Sequence, residues 1–192
     1  MGQMDKKLDK VLELFYEYPE KKFTIREVAK ATKIPKSTVQ QYLGELKKTN
    51  LISKENEVLY SDFFRIKKIH FYVEKLFESG FINYLEKKLL PSCIILFGSF
   101  SRGESVKDSD IDIFIETTKN VALDFAPFEK KLKHKVQVFK EKKVTGLPDR
   151  LFNNVINGIK LKGYLKIKWI IYLVGINAKK NLSGEFLLIR KK

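Results

Sequence analysis

The stretch at residues 94–115 (IILFGSFSRGESVKDSDIDIFI) constrains the fold of this chain more than any other part of the sequence. The apolar run that opens it predicts a buried strand, which stops abruptly at Gly98 and Ser99. A second apolar run follows a short polar segment and carries acidic side chains at alternate positions, Asp110 and Asp112. Because residues i and i+2 of a strand share a face, the two carboxylates are expected to point the same way. The stretch therefore predicts two strands joined by a tight polar connection, with paired acids on the second strand.

The paired carboxylates predict a divalent cation and a bound phosphate. Two carboxylates side by side repel each other and are costly to bury unless a cation sits between them. Mg²⁺ takes oxygen ligands of this kind, usually together with substrate phosphates. Gly98 lets a phosphate approach the main chain, Ser99 adds a hydroxyl, and the N–H groups of the following turn form an anion-binding concavity. These are the components of a site for phosphoryl or nucleotidyl transfer.

The same residues carry a resemblance to a known superfamily. The order and spacing of three short motifs resemble the signature of the DNA polymerase beta-like nucleotidyltransferases: Gly98-Ser99, Arg102-Gly103 and Ser109-Asp110-Ile111-Asp112. The resemblance is strongest to the small "minimal" nucleotidyltransferases of archaea and bacteria, and it covers residues 91–139, about a quarter of the chain.

The resemblance implies a reaction and a set of roles. A nucleoside monophosphate would pass from an NTP, with ATP as the expected nucleotide, to a hydroxyl group, with release of pyrophosphate. Asp110 and Asp112 would be the catalytic, metal-binding residues that hold Mg²⁺ (or Mn²⁺). The residues that would bind the nucleotide are Gly98, Ser99, Arg102 and Ser109. An RNA end and a protein hydroxyl are both compatible acceptors.

The sequence departs from the superfamily pattern at Gln137. Residues 135–139 alternate as a strand, which in the superfamily usually supplies a third carboxylate. Gln137 occupies the matching position, and an amide is neutral and cannot accept a proton at ordinary pH. Loss of a general base can cost about 10²- to 10⁴-fold in rate. Glu141, Glu116 and His134 are the candidates that could substitute from neighbouring positions.

The N-terminal third predicts three helices and a hairpin. Residues 8–15 place apolar side chains at helical spacing. A second helix begins after Thr24, the expected N-cap, and Glu27 completes a capping box. A third helix is expected at about residues 36–49, and residues 51–60 suit a small hairpin.

This order of elements, together with residues 23–51, resembles the winged helix-turn-helix of prokaryotic transcription regulators. By that resemblance the third helix is the recognition helix, and its first residues would contact DNA: Lys36, Ser37, Thr38, Gln40 and Gln41. Either glutamine could read adenine, whereas Lys36 and Thr38 could hold phosphates. Protein contacts are the alternative use of such a domain. Because residues 1–62 carry 12 basic and 10 acidic side chains, net +2, we expect DNA binding as a homodimer.

Residues 63–90 predict a helical connector with a break at Ser79-Gly80. We expect it to join two domains or to serve as a dimerisation helix. His70 lies in its first part without a partner at metal-ligand spacing, so we expect a surface or packing role. The expected apolar stripe of that part consists of Ile66, Ile69, Val73, Leu76 and Phe77.

Composition sets limits but does not decide the partner. The net charge of +15 is concentrated in residues 63–192, which carry 26 basic and 13 acidic side chains. This suits a polyanionic partner, but 33 of the 38 basic residues are lysine, as an AT-rich genome or a thermophile would also give. The single cysteine, Cys93, excludes a disulfide within the chain. The longest apolar run, residues 169–176, is too short to span a bilayer, so we expect a cytoplasmic protein.

We therefore predict an α+β protein with a mostly helical winged helix-turn-helix domain (residues 1–62), a connector (63–90) and a mixed α/β nucleotidyltransferase domain (91–192). A helix at about residues 149–157 and strand-like runs after residue 158 are expected to complete the last domain. Two functions stay open. One is a Mg²⁺-dependent nucleotidyltransferase with a DNA-binding domain, and the other is a catalytically degenerate, nucleotide-binding transcription regulator.

Overall fold

The computed structural model describes residues 6–167, and within them the chain forms eight α-helices and a four-stranded mixed sheet. The helices are α1 (Lys6–Glu17), α2 (Ile25–Thr32), α3 (Lys36–Lys48), α4 (Asp62–Glu78), α5 (Phe81–Leu89), α6 (Gly98–Arg102), α7 (Ala126–Leu132) and α8 (Asp149–Ile156). The strands are β1 (Cys93–Phe97), β2 (Ile111–Glu116), β3 (Val136–Glu141) and β4 (Ile159–Gly163), and a 3₁₀ turn spans Val144–Gly146. The mixed α+β class is confirmed. The runs at residues 169–176 and 186–189 lie outside the described residues.

The sheet has the strand order β3-β2-β1-β4. β1 is antiparallel to both β2 and β4, whereas β2 and β3 are parallel and are joined through α7. Apolar side chains cover both faces, which is why β1 is buried along its whole length. One face carries Ile94, Leu96 and Ile113 toward the N-terminal helices, and the other carries Ile95 and Phe114 toward α8.

The helices before the sheet follow from local signals. Thr24 caps α2, and Glu27 reaches back to the Thr24 N–H, so the predicted capping box is present. After α3 a short hairpin closes through a single bridge between Ile52 and Val58. The chain before α2 joins this hairpin, because the Phe23 N–H donates to the Asn56 carbonyl at 3.3 Å and the Asn56 amide donates back at 2.9 Å.

The connector helices occur as predicted, with the break between α4 and α5, but the predicted apolar stripe of α4 is wrong in part. Ile66 is 62% exposed and Phe77 is 48% exposed. The buried face of α4 consists instead of Phe64, Lys68, Phe71, Tyr72 and Leu76. The wholly buried Lys68 interrupts the apolar pattern of this face. The sequence pattern therefore predicted that the neighbouring face of the helix is buried.

The N-terminal helices and the sheet share a hydrophobic core. One cluster of buried residues extends from Val11 in α1 to Val136 in β3 without a break at the predicted boundary after residue 62. Ion pairs reinforce the contact, since the buried Glu13 carboxylate of α1 meets both Lys75 of α4 and Lys133 beyond α7. The division into domains thus stays a sequence-based prediction, and the packing across it is extensive.

Candidate active site

The turn after β1 and the start of β2 meet at one edge of the sheet. Because the two strands are antiparallel, with Phe97 opposite Asp112, the end of β1 lies beside the beginning of β2. Gly98 then opens the short helix α6, and Asp110 immediately precedes β2. The fold therefore brings the predicted phosphate-binding turn and the predicted carboxylate pair together.

The tightest contact of the site joins Gly98 and Asp112. Gly98 has φ of +72°, a backbone conformation that L side chains rarely adopt. A Cβ at this position would overlap Oδ2 of Asp112 and would lie 3.0 Å from its Cγ. The Asp112 carboxylate thus packs against the bare backbone of the turn, where only glycine leaves room for it.

Electrostatics show that the two aspartates act on each other. Burial raises the pKa of the half-buried Asp112, the charge of Asp110 raises that pKa further, and Arg102 lowers it. The carboxylates therefore lie close enough to repel, as the alternation along the strand predicts. A cation between them would relieve both the desolvation and the repulsion.

The donor set suits one divalent cation better than two. Asp110 and Asp112 supply carboxylate oxygens of the kind that Mg²⁺ and Mn²⁺ bind. Within residues 6–167, however, no group of three or more His, Cys, Asp or Glu side chains could hold a metal ion. The remaining ligands would come from nucleotide phosphates and water.

Gln137, where the resemblance predicts a third carboxylate, lies beside Asp112 on the neighbouring strand. In the parallel pairing of β2 and β3 it is the register partner of Asp112, and its side chain is exposed. Glu116 and Glu141 are register partners of each other four residues further along, roughly 13 Å away at the rise of a strand. The Glu116 carboxylate also accepts hydrogen bonds from Ser92 Oγ at 2.6 Å and from Val144 N–H at 2.9 Å. The hypothesis that either glutamate substitutes for the third carboxylate is therefore wrong.

Arg102 and the serines have local partners. The exposed Arg102 donates from Nε to Glu104 Oε2 at 2.7 Å, and its positive charge acts on Asp112. Ser99 is the second residue of α6, and its carbonyl accepts from the Glu104 N–H at 2.9 Å. The Ser109 hydroxyl accepts from the Val106 N–H at 2.9 Å, so it closes the turn before Asp110. Nucleotide binding by Ser109 stays a prediction.

His134 is buried behind the site. Its Nδ1 lies 2.9 Å from the Ser109 carbonyl, and its ring packs edge-on against Tyr72 and Phe100. Burial lowers its pKa, so the ring is neutral at pH 7 and Nδ1–H donates to Ser109. His134 thus holds the loop that precedes Asp110.

Sequence reasoning missed two further contacts to that loop. Lys68 of α4 donates to the Ser105 carbonyl, and Glu17 of α1 accepts from both the backbone and the side chain of Lys107. The only signal in the sequence was a lysine among apolar residues of a predicted helix. The pairing of such distant residues is decided by the fold.

The predicted DNA-binding residues lie apart from the carboxylates, on the first two turns of α3. This helix packs against α1 and α2. Thr38 is half-buried, and the exposed members of the set are Lys36, Ser37, Gln40 and Gln41.

The fold and the strand-edge site define a nucleotide-transferring class of protein. The family model described as "Nucleotidyltransferase domain" matches residues 78–175, which are 98 of the 192 residues, and the chain belongs to that family. This membership supports transfer of a nucleoside monophosphate and binding of an NTP, usually with a divalent metal. No curated protein and no solved structure matches the chain significantly. Among residues 6–167, no helix has the length and hydrophobicity that crossing a membrane requires.

Proposed function

We propose that this protein is a Mg²⁺-dependent nucleotidyltransferase that moves a nucleoside monophosphate from an NTP to a hydroxyl group of RNA or protein. The observation that carries the proposal is the carboxylate pair Asp110 and Asp112 at the backbone of Gly98. A cation held there would neutralise the triphosphate and stabilise the pyrophosphate that leaves. ATP is the expected nucleotide.

The chain's own residues bind and orient the nucleotide. The bare backbone at Gly98 and the Ser99 hydroxyl would accommodate phosphate oxygens, and Arg102 is a nearby cation for them. The half-buried Asp112 is fixed by its strand and by contact with the turn, so it needs little rearrangement when the ligand binds. The acceptor hydroxyl would approach beside Gln137.

Gln137 favours a second function, a nucleotide-binding transcription regulator without turnover. An amide beside Asp112 can donate a hydrogen bond but cannot act as a general base. The site would then bind Mg²⁺–NTP as a signal that the N-terminal helices transmit to DNA.

Labelled nucleotides separate the two functions. The full chain is incubated with radiolabelled ATP, CTP, GTP or UTP, with Mg²⁺ or Mn²⁺, and with total cellular RNA and protein. Label transferred by the native chain but not by Asp110→Ala supports the enzyme. Saturable nucleotide binding without transferred label supports the regulator.

Gln137→Asp sharpens this comparison, with Gln137→Asn as the control that keeps an amide. If the site lacks only its base, the aspartate variant should gain about 10²- to 10⁴-fold in transfer rate. An unchanged rate in Gln137→Asp would show that the amide is not what limits turnover.

The N-terminal unit is proposed to be a winged helix-turn-helix that binds DNA. Three features support this: the three helices α1–α3, the hairpin after α3, and the pairing of Phe23 with the Asn56 region of that hairpin. The exposed residues that open α3 would contact DNA, with Gln40 and Gln41 reading base edges. The regulator function requires this activity, and the enzyme function is compatible with it.

Selection of bound sequences from a random DNA pool tests this proposal. A palindromic motif is expected, and replacing Gln40 and Gln41 with Ala should weaken base preference more than overall affinity. Asn83→Ala, on the exposed surface of α5, is the control. Absence of any enriched motif would contradict promoter recognition.

A palindromic site requires two copies of this chain. The exposed face of α4 could form the interface between them, which we call the seam. Its outer face carries the exposed residues Phe63, Ile66, His70 and Phe77. Together with Val73, which is half-buried against the core, they follow alternating steps of three and four, the spacing of a coiled coil. Phe63 is 47% exposed and Ile66 is 62% exposed. If the α4 helices of two copies pair in antiparallel fashion around His70, Lys67 of each copy would face Glu74 of the other. The positive and negative side chains along this interface are therefore complementary.

Sedimentation measures this association. Ile66→Glu is expected to give a monomer, whereas Val121→Glu, which adds the same charge at another exposed apolar residue, should leave a dimer. A monomeric native chain at tens of micromolar would exclude the seam.

A further inference from the structure

Three hydrogen bonds with other elements hold the loop between α6 and β2. This loop, residues 103–110, carries Asp110 at its end. Lys68 donates to the Ser105 carbonyl, the Lys107 N–H donates to the Glu17 carbonyl at 3.0 Å, and His134 meets the Ser109 carbonyl at 2.9 Å. Each anchor comes from a different element: α4, the end of α1, and the segment between α7 and β3. The position of Asp110 therefore depends on contacts outside the sheet.

Lys68 is the most unusual of these anchors. Its side chain is 0% exposed, and burial lowers its pKa from 10.5 to about 8. No acidic side chain among residues 6–167 forms an ion pair with it. Its ammonium donates to the carbonyl of Ser105, a residue that is itself only 1% exposed. A lone buried ammonium is costly, because its desolvation is not offset by an opposite charge.

The surroundings of Lys68 would suit an apolar residue. Its neighbours on the buried face of α4 are Phe64, Phe71 and Tyr72. An unbranched apolar side chain such as Met would fill similar volume there without a desolvation penalty. Because stability favours the apolar residue, the lysine is better explained by what its ammonium holds, the carbonyl of the loop.

We propose that Lys68 is a positioning residue for the metal-binding pair: by holding Ser105 it fixes the loop that places Asp110 beside Asp112. The inference rests on the proposed function for the role of Asp110 as a metal ligand. Lys68 touches neither metal nor nucleotide, and it acts through the loop. Its loss should therefore weaken metal binding without unfolding the protein.

The test compares Lys68→Met with Lys88→Met in the full chain. Lys88 is an exposed lysine on α5, away from the loop and from the outer face of α4, so the control removes an equal charge. Mn²⁺ affinity is measured by electron paramagnetic resonance in the presence of a non-hydrolysable NTP analogue. Hydrogen exchange of the peptide covering residues 105–110 reports on the loop, and thermal unfolding reports on the fold.

For Lys68→Met we expect Mn²⁺ affinity to fall at least fivefold and exchange at residues 105–110 to rise at least tenfold. The unfolding midpoint should stay the same or rise, because methionine removes the buried charge, and Lys88→Met should behave as the native chain. Equal Mn²⁺ affinity in Lys68→Met and the native chain would overturn the inference. So would exchange that rises evenly across all strands, because that pattern indicates general destabilisation.

Failure of the proposed function has a different signature, namely a native chain that binds no Mn²⁺. If Lys68→Met does not fold, Lys68→Gln replaces it, since glutamine keeps an N–H donor on a shorter side chain. In Lys68→Gln, loop exchange should then be faster and Mn²⁺ affinity lower than in the native chain. Values equal to the native ones would overturn the inference as well.

Discussion

The Asp112 carboxylate lies against the backbone of Gly98, where the glycine has no side chain. A Cβ at residue 98 would overlap Asp112 Oδ2, and the glycine has φ of +72°. The contact links the proposed phosphate-binding turn to the strand that carries the proposed metal ligands. A substitution at either residue should therefore alter the position of the other.

Gly98→Ala is expected to abolish nucleotide binding and to cost about 1–2 kcal/mol of stability from the left-handed backbone. The added methyl displaces the Asp112 carboxylate, so Mn²⁺ affinity should fall with nucleotide affinity. Gly44→Ala is the control. A Cβ there meets nothing within 4 Å, and alanine should stabilise α3 by about 0.5–1 kcal/mol. Calorimetric titration with Mn²⁺ and an NTP analogue measures both variants, and native affinity in Gly98→Ala would contradict the geometry.

Asp112→Asn is expected to stabilise the metal-free protein while removing its response to Mg²⁺–NTP. Burial, and then Asp110, raise the pKa of Asp112 above its ordinary 3.8. An acid whose pKa is raised by folding favours the fold below its unfolded pKa, and that contribution is lost as the pH rises through the folded value. At pH 7 the ionised Asp112 is therefore a cost that asparagine removes.

Thermal unfolding at pH 7 measures this effect, at about 2–4 °C per kcal/mol for a chain of this size. The native midpoint should rise on addition of Mg²⁺–NTP, and that of Asp112→Asn should not. Asp108→Asn, an exposed aspartate in the same loop, should keep the native response. A lower midpoint for metal-free Asp112→Asn would show that the carboxylate stabilises the fold.

Glu116→Gln is expected to lower the free energy of unfolding by about 1–3 kcal/mol and to leave Mn²⁺ affinity unchanged. Each Glu116 carboxylate oxygen accepts one hydrogen bond, a partly buried one from Ser92 Oγ and a buried one from Val144 N–H. An amide can replace only one of these acceptors. Glu141→Gln, which changes an exposed carboxylate on the neighbouring strand, should fall within about 0.5 kcal/mol of the native chain. Denaturation with urea gives both values, and weaker Mn²⁺ binding in Glu116→Gln would place this residue in the metal site after all.

The sequence predicts the parts of this molecule that depend on neighbouring residues. The capping box of Thr24 and Glu27 marks the start of α2, and Ser79-Gly80 separates α4 from α5. The carboxylate pair follows from the two-residue period of a strand, and the turn at Gly98 follows from the break in the apolar run. These are local rules, and the structure obeys them.

The parts that were not predicted depend on pairings between distant residues. Lys68 and Ser105 are 37 positions apart, and Glu17 and Lys107 are 90 apart. The same lysine misled the choice of the buried face of α4, because a charge is normally a sign of exposure. Likewise, only the register of β2 against β3 shows that Glu116 lies too far from Asp112 to complete the site.

Raising the pH should stabilise the native chain relative to Lys68→Met. The unfolded lysine keeps its proton up to about pH 10.5, whereas the buried amine releases it near pH 8. Between these values the unfolded state binds more protons, so the free energy of unfolding rises with pH. At 1.36 kcal/mol per pH unit the native chain should gain about 2 kcal/mol over the variant between pH 7.5 and pH 9.5. Urea denaturation of both proteins at the two pH values gives the difference, in which other titrating groups cancel. A difference that stays constant would mean that the Lys68 amine keeps its ordinary pKa. Lys88→Met, which removes an exposed lysine, should differ from the native chain by a constant amount at the two pH values.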